Sequence, residues 1–272
     1  MWHFVDLCCG SGAITLHLLG ARKAILPYQG SKWKLRGHIA SYCPGGAPQT
    51  VTLVDPSPWS ETLGVVINPK KREQLVSYLE CLAAKDPREV YDSLQGHSVP
   101  EDLIERAGQH LFLQRLAFSG KAVGVNRGNW SSPGFNGSSA YGIPATDKFG
   151  AINPMIPSLI KTLKSYNLEP TLVRTRRGRA AVPEKVPPNT FVYIDPPYQL
   201  ATPYPDGSLG RDEVIWLAQQ WRERGASVLI SEREPIVIPG GGWWVKNITA
   251  GRDIDSPFVG KHSEWLTGSN DL

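Results

Sequence analysis

The chain has 272 residues, 41% of them hydrophobic and 20% charged, with a formal net charge of +4 and a pI near 8.8. This is ordinary for a soluble globular protein with a full core, built as one large domain or as one domain with a sizeable insertion. The mild basic surplus permits a polyanionic partner and requires none. Cys8, Cys9, Cys43 and Cys81 have neither Cys-x-x-Cys spacing nor a nearby histidine pair, which argues against a metal site and for reduced thiols. No basic leader precedes an apolar run, and no stretch approaches about 18 uninterrupted apolar residues, so neither export nor membrane insertion is expected and a cytoplasmic protein is.

The first strand spans Trp2–Leu7 and runs into Asp6-Leu7-Cys8-Cys9-Gly10-Ser11-Gly12. Glycines at 10 and 12 allow a tight turn and close approach to a ligand, and Ala13–Leu19 then predicts a helix whose amino terminus points at that ligand. The unit lacks the third glycine of a dinucleotide fingerprint and the Gly-Lys-Ser/Thr of a P-loop, so it supports NAD and ATP chemistry only weakly. Pro27 to Lys32 follows, with Ser31 placed to cap a short amphipathic helix from Trp33 to Tyr42 and Lys32 placed for an anionic group, or simply solvated. The second strand, Thr50–Val54, ends in Asp55-Pro56, where open α/β folds bind a ribose hydroxyl pair.

From Pro58 to about Gly120 the pattern is helical. Leu75, Val76, Leu79 and Leu82 share a face of Lys70–Lys85, and Leu103, Ile104, Leu111, Leu113 and Leu116 recur at helical spacing in Pro100–Phe118. Arg115 is harder to explain as core. Ser119–Phe149 is expected to be a polar loop in which Lys121, Asn126, Arg127, Asn129, Trp130, Asn136, Tyr141 and Lys148 mix with glycines and serines, a chemistry suited to groove and base-edge contacts or to a surface insertion. After a helix over Pro154–Tyr166, Arg174, Arg176, Arg177 and Arg179 crowd Thr171–Arg179, either as phosphate contacts or as a solvated loop.

Phe191–Ile194 is a strand that delivers Asp195 to its carboxyl end, where Pro196-Pro197 stops any ladder and Tyr198 follows. Taken alone, the stretch is equally an ordinary strand end. A helix over Arg211–Arg224 and closing strands at Ser227–Ser231, Trp243–Ile248 and Glu264–Leu266 complete a mainly parallel α/β sheet.

Together these segments resemble the DNA amino-methyltransferases, in particular the Dam-related adenine group frequent in phages and prophages. Asp195-Pro196-Pro197-Tyr198 after Phe191-Val-Tyr-Ile matches that family's catalytic motif. Asp6 to Gly12 is similar to its glycine-rich cofactor motif, and Tyr28-Gln-Gly-Ser-Lys32 to its second cofactor loop. Asp55-Pro56 falls at the ribose acid, while Leu113 to Gly120 with Asn126-Arg-Gly-Asn129 is similar to the start of the DNA-binding region. Two departures stand out: the Tyr-x-Gly-Ser-Lys loop follows the glycine-rich strand instead of preceding it, and Cys8 stands where phenylalanine is common.

The resemblance implies a Rossmann-like, mainly parallel twisted sheet of the S-adenosylmethionine-dependent methyltransferases. Residues 1–57 and 150–272 would form the catalytic domain and 58–149 a mostly helical target-recognition insertion. It implies S-adenosylmethionine bound by Asp6, Cys8, Gly10, Ser11, Gly12, Ala13, Tyr28, Gly30, Lys32, Asp55, Pro56 and Asp195, with Lys32 on the methionine carboxylate side. It also implies double-stranded DNA held by Arg115, Lys121, Asn126, Arg127, Asn129, Arg174, Arg176 and Arg177 in a bacterial or phage-infected cell, with a flipped adenine whose amine meets Asp195 and Pro196 while Tyr198 stacks on the base. The same motif serves cytosine N4 methylation, and an RNA substrate or a non-catalytic nucleic-acid-binding relative also remains open.

Overall fold

The computed structural model describes residues 1–26, 31–135, 155–178, 182–196, 209–249, 255–256, 260–261 and 263–272. The chain opens with β1 (His3–Leu7), α1 (Ala13–Leu18), a 3-10 turn at Lys32–Lys34, α2 (Arg36–Ala40) and β2 (Thr50–Asp55). A helical stretch follows: α3 (Trp59–Ile67), α4 (Pro69–Ala83), α5 (Pro87–Leu94) and α6 (Leu103–Leu116). Side-chain caps cut it into pieces. Asn68 accepts from Lys71 N, Asp86 from Arg88 N and Glu89 N, and Asp102 from Ile104 N and Glu105 N, with prolines at the first turns of α4 and α5.

Within the expected polar loop lies a hairpin, β3 (Gly124–Asn126) and β4 (Asn129–Ser131). Arg127 and Gly128 have φ of 48° and 81°, the positive-φ pair of a two-residue type I′ turn. The loop expectation is therefore corrected for these residues, and residues 136–154 lie outside the described ones. The remaining elements are α7 (Met155–Lys164), β5 (Leu172–Arg177), β6 (Thr190–Ile194), α8 (Arg211–Glu223), β7 (Ser227–Glu232), β8 (Trp243–Asn247), a short antiparallel pair β9 (Asp255–Ser256) and β10 (Gly260–Lys261), and β11 (Trp265–Ser269).

The main sheet runs β5-β2-β1-β6-β7-β11-β8. β5, β2, β1, β6 and β7 are parallel, and β11 is antiparallel to both its neighbours, so β8 again runs with the parallel set. Without β11, the strands follow the doubly wound order 3-2-1-4-5-6, whose direction reverses at β1 and β6. Period-two alternation assigns the faces. Phe4, Val51, Leu53, Phe191, Tyr193 and Leu229 join one large core with α1, α3, α4, α6 and α7, while Val5, Leu7, Val54, Val192, Ile194 and Ile230 pack under α8.

Residues 58 onward share this core. A Cβ on Gly64 of α3 would come within 2.6 Å of Thr175 on β5, so the helix lies hard against the sheet as one of its covering layers. No helix among the described residues is long and apolar enough to cross a membrane.

Candidate active site

Parallel strands bring their carboxyl ends to one edge, and at a switch point the chains leaving neighbouring strands diverge and open a crevice. β1 and β6 are paired through Leu7 and Ile194, and Asp195 N extends the ladder to Leu7 O at 3.2 Å. Asp6, Asp55 and Asp195 fall on the larger-core side of their strands, in phase with Phe4, Leu53 and Tyr193. All three sequence-predicted acids thus meet at this edge.

Asp195 stands at the centre of a buried network. Its Oδ1 accepts from Lys32 Nζ at 2.6 Å and from Ser231 Oγ at 3.1 Å, and Ser231 Oγ pairs with Tyr193 Oη at 2.7 Å. Lys32 Nζ also lies 3.5 Å from Glu264 Oε1. Lys32 and Glu264 are buried, whereas the Asp195 side chain keeps 20% of its surface exposed. With Oδ1 engaged inward, Oδ2 is the oxygen left to a ligand; among the described residues it accepts no hydrogen bond. Burial raises the Asp195 carboxyl to about 6, against the lowering influence of Lys32. Glu232, at the end of β7, is raised to about 7 by burial, although Arg233 N donates to it.

The glycine turn is braced from beneath. Cys8, Gly10 and Gly12 take φ of 60°, 45° and 68°. Gly12 N donates to Cys9 O at 2.8 Å, and Gly10 N donates to Asp55 Oδ2, also at 2.8 Å. Ser57 supplies its N–H and its hydroxyl to Asp55 Oδ1. The ends of β1 and β2 are therefore locked by one carboxylate, whose proton affinity is raised by burial and held back by these donors. Asp6 lies deeper, accepting from Thr15 Oγ1 of α1 at 2.5 Å, and burial raises it to about 8. α1 has six residues, so its terminus adds little dipole field and Ala13 serves mainly as core.

Ser31 and Lys32 reach this edge despite the altered place of their motif in the chain: Ser11 Oγ donates to Ser31 Oγ at 3.2 Å. Lys32, however, is turned to Asp195 and Glu264, because a buried ammonium settles where carboxylates compensate its lost hydration. The edge is acid-rich: Asp195, Glu232 and Glu264 surround Lys32, Asp6 lies near Asp195 and Asp55, and Arg177 stands at the margin, its Nε donating to Pro56 O at 3.3 Å. Ser231, Glu232 and Glu264 were not singled out from sequence. The signal for the first two was present, since Ser227–Ser231 was legible as a strand and its end had to share an edge with Asp195.

The basic candidates divide. Asn126, Arg127 and Asn129 are exposed at the hairpin tip, and Lys121 is half-buried at the hairpin's approach. Trp130, in the same hairpin, is buried, donating to Gln109 Oε1 at 2.8 Å and stacking on His110 at 6.0 Å. His110 in turn meets Trp59 at 4.8 Å, and Trp59 N donates to Ser57 Oγ, so an aromatic stack ties the hairpin to the Asp55 end of the sheet. Arg174 and Arg176 are exposed on the edge strand β5, on the face opposite Thr175 and Arg177. Arg115 is used internally: its Nε donates to Met155 O at 3.2 Å, linking α6 to α7. Tyr28, Gly30, Pro197, Tyr198 and Arg179 lie outside the described residues.

Neither a protein-family model nor a curated protein matches this chain.

Proposed function

We propose that the chain is an S-adenosylmethionine-dependent amino-methyltransferase that acts on the N6 amine of adenine in DNA. The observation that carries this reading is Asp195. It is an ionisable acid at the switch-point end of β6, followed by Pro196, with one oxygen held by Lys32 and Ser231 and part of its surface open to a ligand.

The charge of the edge fits this cofactor better than it fits a polyphosphate nucleotide. Even with Asp6 and Glu232 holding protons near neutrality, the remaining acids of the edge outnumber its one buried lysine; they would repel the pyrophosphate of a dinucleotide or the phosphates of ATP, but suit a ligand carrying a sulfonium and an ammonium group. Asp6, Cys8, Gly10, Ser11, Gly12 and Ala13 would take its amino-acid end, and Asp55 with Pro56 its ribose. A carboxylate has about four lone-pair sites. Gly10 N, Ser57 N and Ser57 Oγ occupy three at Asp55, so one ribose hydroxyl can be accepted without breaking an internal bond. When bound, the cofactor supplies an electrophilic methyl group.

The chain's own residues have to make a poor nucleophile competent, because an exocyclic amine delocalises its lone pair into the ring. Asp195 Oδ2 and the Pro196 carbonyl would accept the two amine hydrogens, drawing the nitrogen toward a tetrahedral shape with its pair localised and aimed in line. Once methylated on that localised pair, the nitrogen would have a proton to shed. Carboxyls whose proton affinity is raised toward neutrality, Asp195 and Glu232, are suited to receive it. Extruding the base costs a few kcal/mol. The exposed tip Asn126-Arg127-Gly128-Asn129 and the Arg174/Arg176 face offer amide and guanidinium contacts to the duplex.

The test is to incubate the protein with methyl-labelled S-adenosylmethionine and, in parallel, duplex DNA, single-stranded DNA and RNA, then digest to nucleosides. Label in N6-methyladenine from duplex DNA is expected. Label in N4-methylcytosine alone would move the target to cytosine, and label in no nucleoside would remove the reading.

A further inference from the structure

Three charged groups from distant parts of the chain meet at the edge: Lys32 before α2, Asp195 after β6 and Glu264 just before β11. Glu264 arrives because β11 runs against its neighbours. Trp265 pairs with Glu232 at the end of β7, so the residue before it stands at the carboxyl edge of the parallel strands. Its backbone is pinned there. Glu264 N donates to Thr249 Oγ1 at 2.9 Å, and Ile248 N donates to Glu264 O at 2.9 Å. Lys32 is 5% exposed and Glu264 is 6% exposed, so neither exchanges freely with water.

A carboxylate paired one-to-one with a buried ammonium is close to neutral as a unit and a weak acceptor for the hydrogens of an uncharged amine. The ammonium here is shared: it lies 2.6 Å from Asp195 and 3.5 Å from Glu264, so the trio carries one net negative charge when all three are ionised. We propose that Glu264 is a positioning residue that divides Lys32 with Asp195 and thereby leaves the Asp195 carboxylate the negative charge with which it binds and activates an amine. The proposal rests on the reading of Asp195 as the amine acceptor and deepens it. Lys32 fixes the orientation of Asp195, and Glu264 sets how much of its charge is cancelled. Among the described residues, Glu232 and Ser231 of β7, Tyr193 of β6 and Asp6 of β1 also face the trio, and none of these four is a cation.

The test titrates Asp195 in the whole chain by carboxyl-carbon NMR, with its signal assigned by loss in Asp195→Asn, and follows methyl transfer in the same variants. Glu264→Gln removes a like charge and is expected to lower the Asp195 midpoint by about one pH unit; Lys32→Met removes an opposite charge and raises it by at least as much; Glu264→Asp leaves it near wild type. With the acceptor weakened, kcat in Glu264→Gln falls about tenfold while KM for DNA and cofactor holds. An unmoved midpoint in Glu264→Gln overturns the proposal whatever the activity, and so does a shifted midpoint with unchanged kcat. If Glu264→Gln does not fold, the Lys32→Met and Glu264→Asp arms decide it: a midpoint that Lys32→Met does not raise, or that Glu264→Asp moves by as much, overturns it. Absence of methyl transfer by the wild-type protein, with the titration shifts present, overturns the methyltransferase reading and with it the role given to the charge, while the sharing of Lys32 stands.

Discussion

Gly12 illustrates how a single position serves the site. Its φ of 68° disfavours any side chain, and a Cβ would come within 2.7 Å of Leu63, which is fully buried on α3. Gly12→Ala is expected to cost about 2 kcal/mol, combining left-handed backbone strain with overpacking of the core. Thermal unfolding within a degree of wild type would contradict that account of the turn. The acids Asp6, Asp55 and Asp195 were legible because each closes or follows an apolar strand, where a carboxylate is unexpected unless the strand end is used. Glu264 was not, because its strand gains its place only by pairing between β7 and β8, an arrangement that local pattern does not encode. Lys32 was a candidate site residue from sequence, where helix-start chemistry suggested an anionic ligand; its carboxylate partners within the chain were not legible, because they lie more than a hundred residues further on.

At the scale of elements, the hairpin of β3 and β4 is the clearest addition to the sequence reading. Polarity hid it, since Asn126, Arg127 and Asn129 dominate the composition while the strand signal is only three residues a side. The Arg127-Gly128 pair between Val125 and Trp130 was the local cue, two residues able to take positive φ between strand formers. Because the tip is exposed and its base is held by Trp130, the hairpin can meet a duplex without altering the fold. Arg127→Ala is expected to weaken binding to DNA of any sequence and to reduce the slope of log affinity against log salt by about one, at unchanged thermal stability. Titrations at several salt concentrations check this; an unchanged slope would remove Arg127 from the phosphate contacts. Trp130→Ala should instead destabilise the whole chain by about 3–5 kcal/mol, since it removes a buried ring, its stack on His110 and a partner of Gln109. A fall in DNA affinity without loss of stability in that variant would show the ring to be a ligand contact and not an anchor. β5 shows the converse of the hairpin. Its arginines pointed away from a strand, but an edge strand needs a ladder on one side only, and charge there discourages pairing with another chain.

For the whole molecule, the acid-rich edge makes stability depend on pH in a definite direction. Asp6, Glu232 and Asp195 have folded-state proton affinities raised to about 8, 7 and 6, above their ordinary values, so the folded chain binds more protons than the unfolded one. Their stabilising contribution is complete below the ordinary carboxylate range and is lost as pH rises through the folded values. His110, held neutral by burial and lowered to about 3, acts oppositely, but only below the ordinary histidine range. Between pH 6.5 and 8.5 the carboxyls therefore dominate, and the melting temperature of the unliganded protein should fall across that window. Asp6→Asn should flatten the fall; a melting temperature that rises with pH there would refute the assignment of these protons. The same acids that take up these protons underlie the proposed preference of the edge for a cationic ligand.

In the proposed reaction Asp195 acts on the target amine and not on the cofactor. Two quantities separate these roles on one preparation each of wild type and Asp195→Ala: the affinity for S-adenosylmethionine by calorimetry and the single-turnover rate of methyl transfer to duplex DNA. Cofactor affinities within a few-fold of each other are expected, with a rate lost by at least about a thousandfold in the variant, a loss on the scale of removing a directly acting catalytic group. Near-wild-type methyl transfer by Asp195→Ala would contradict that role.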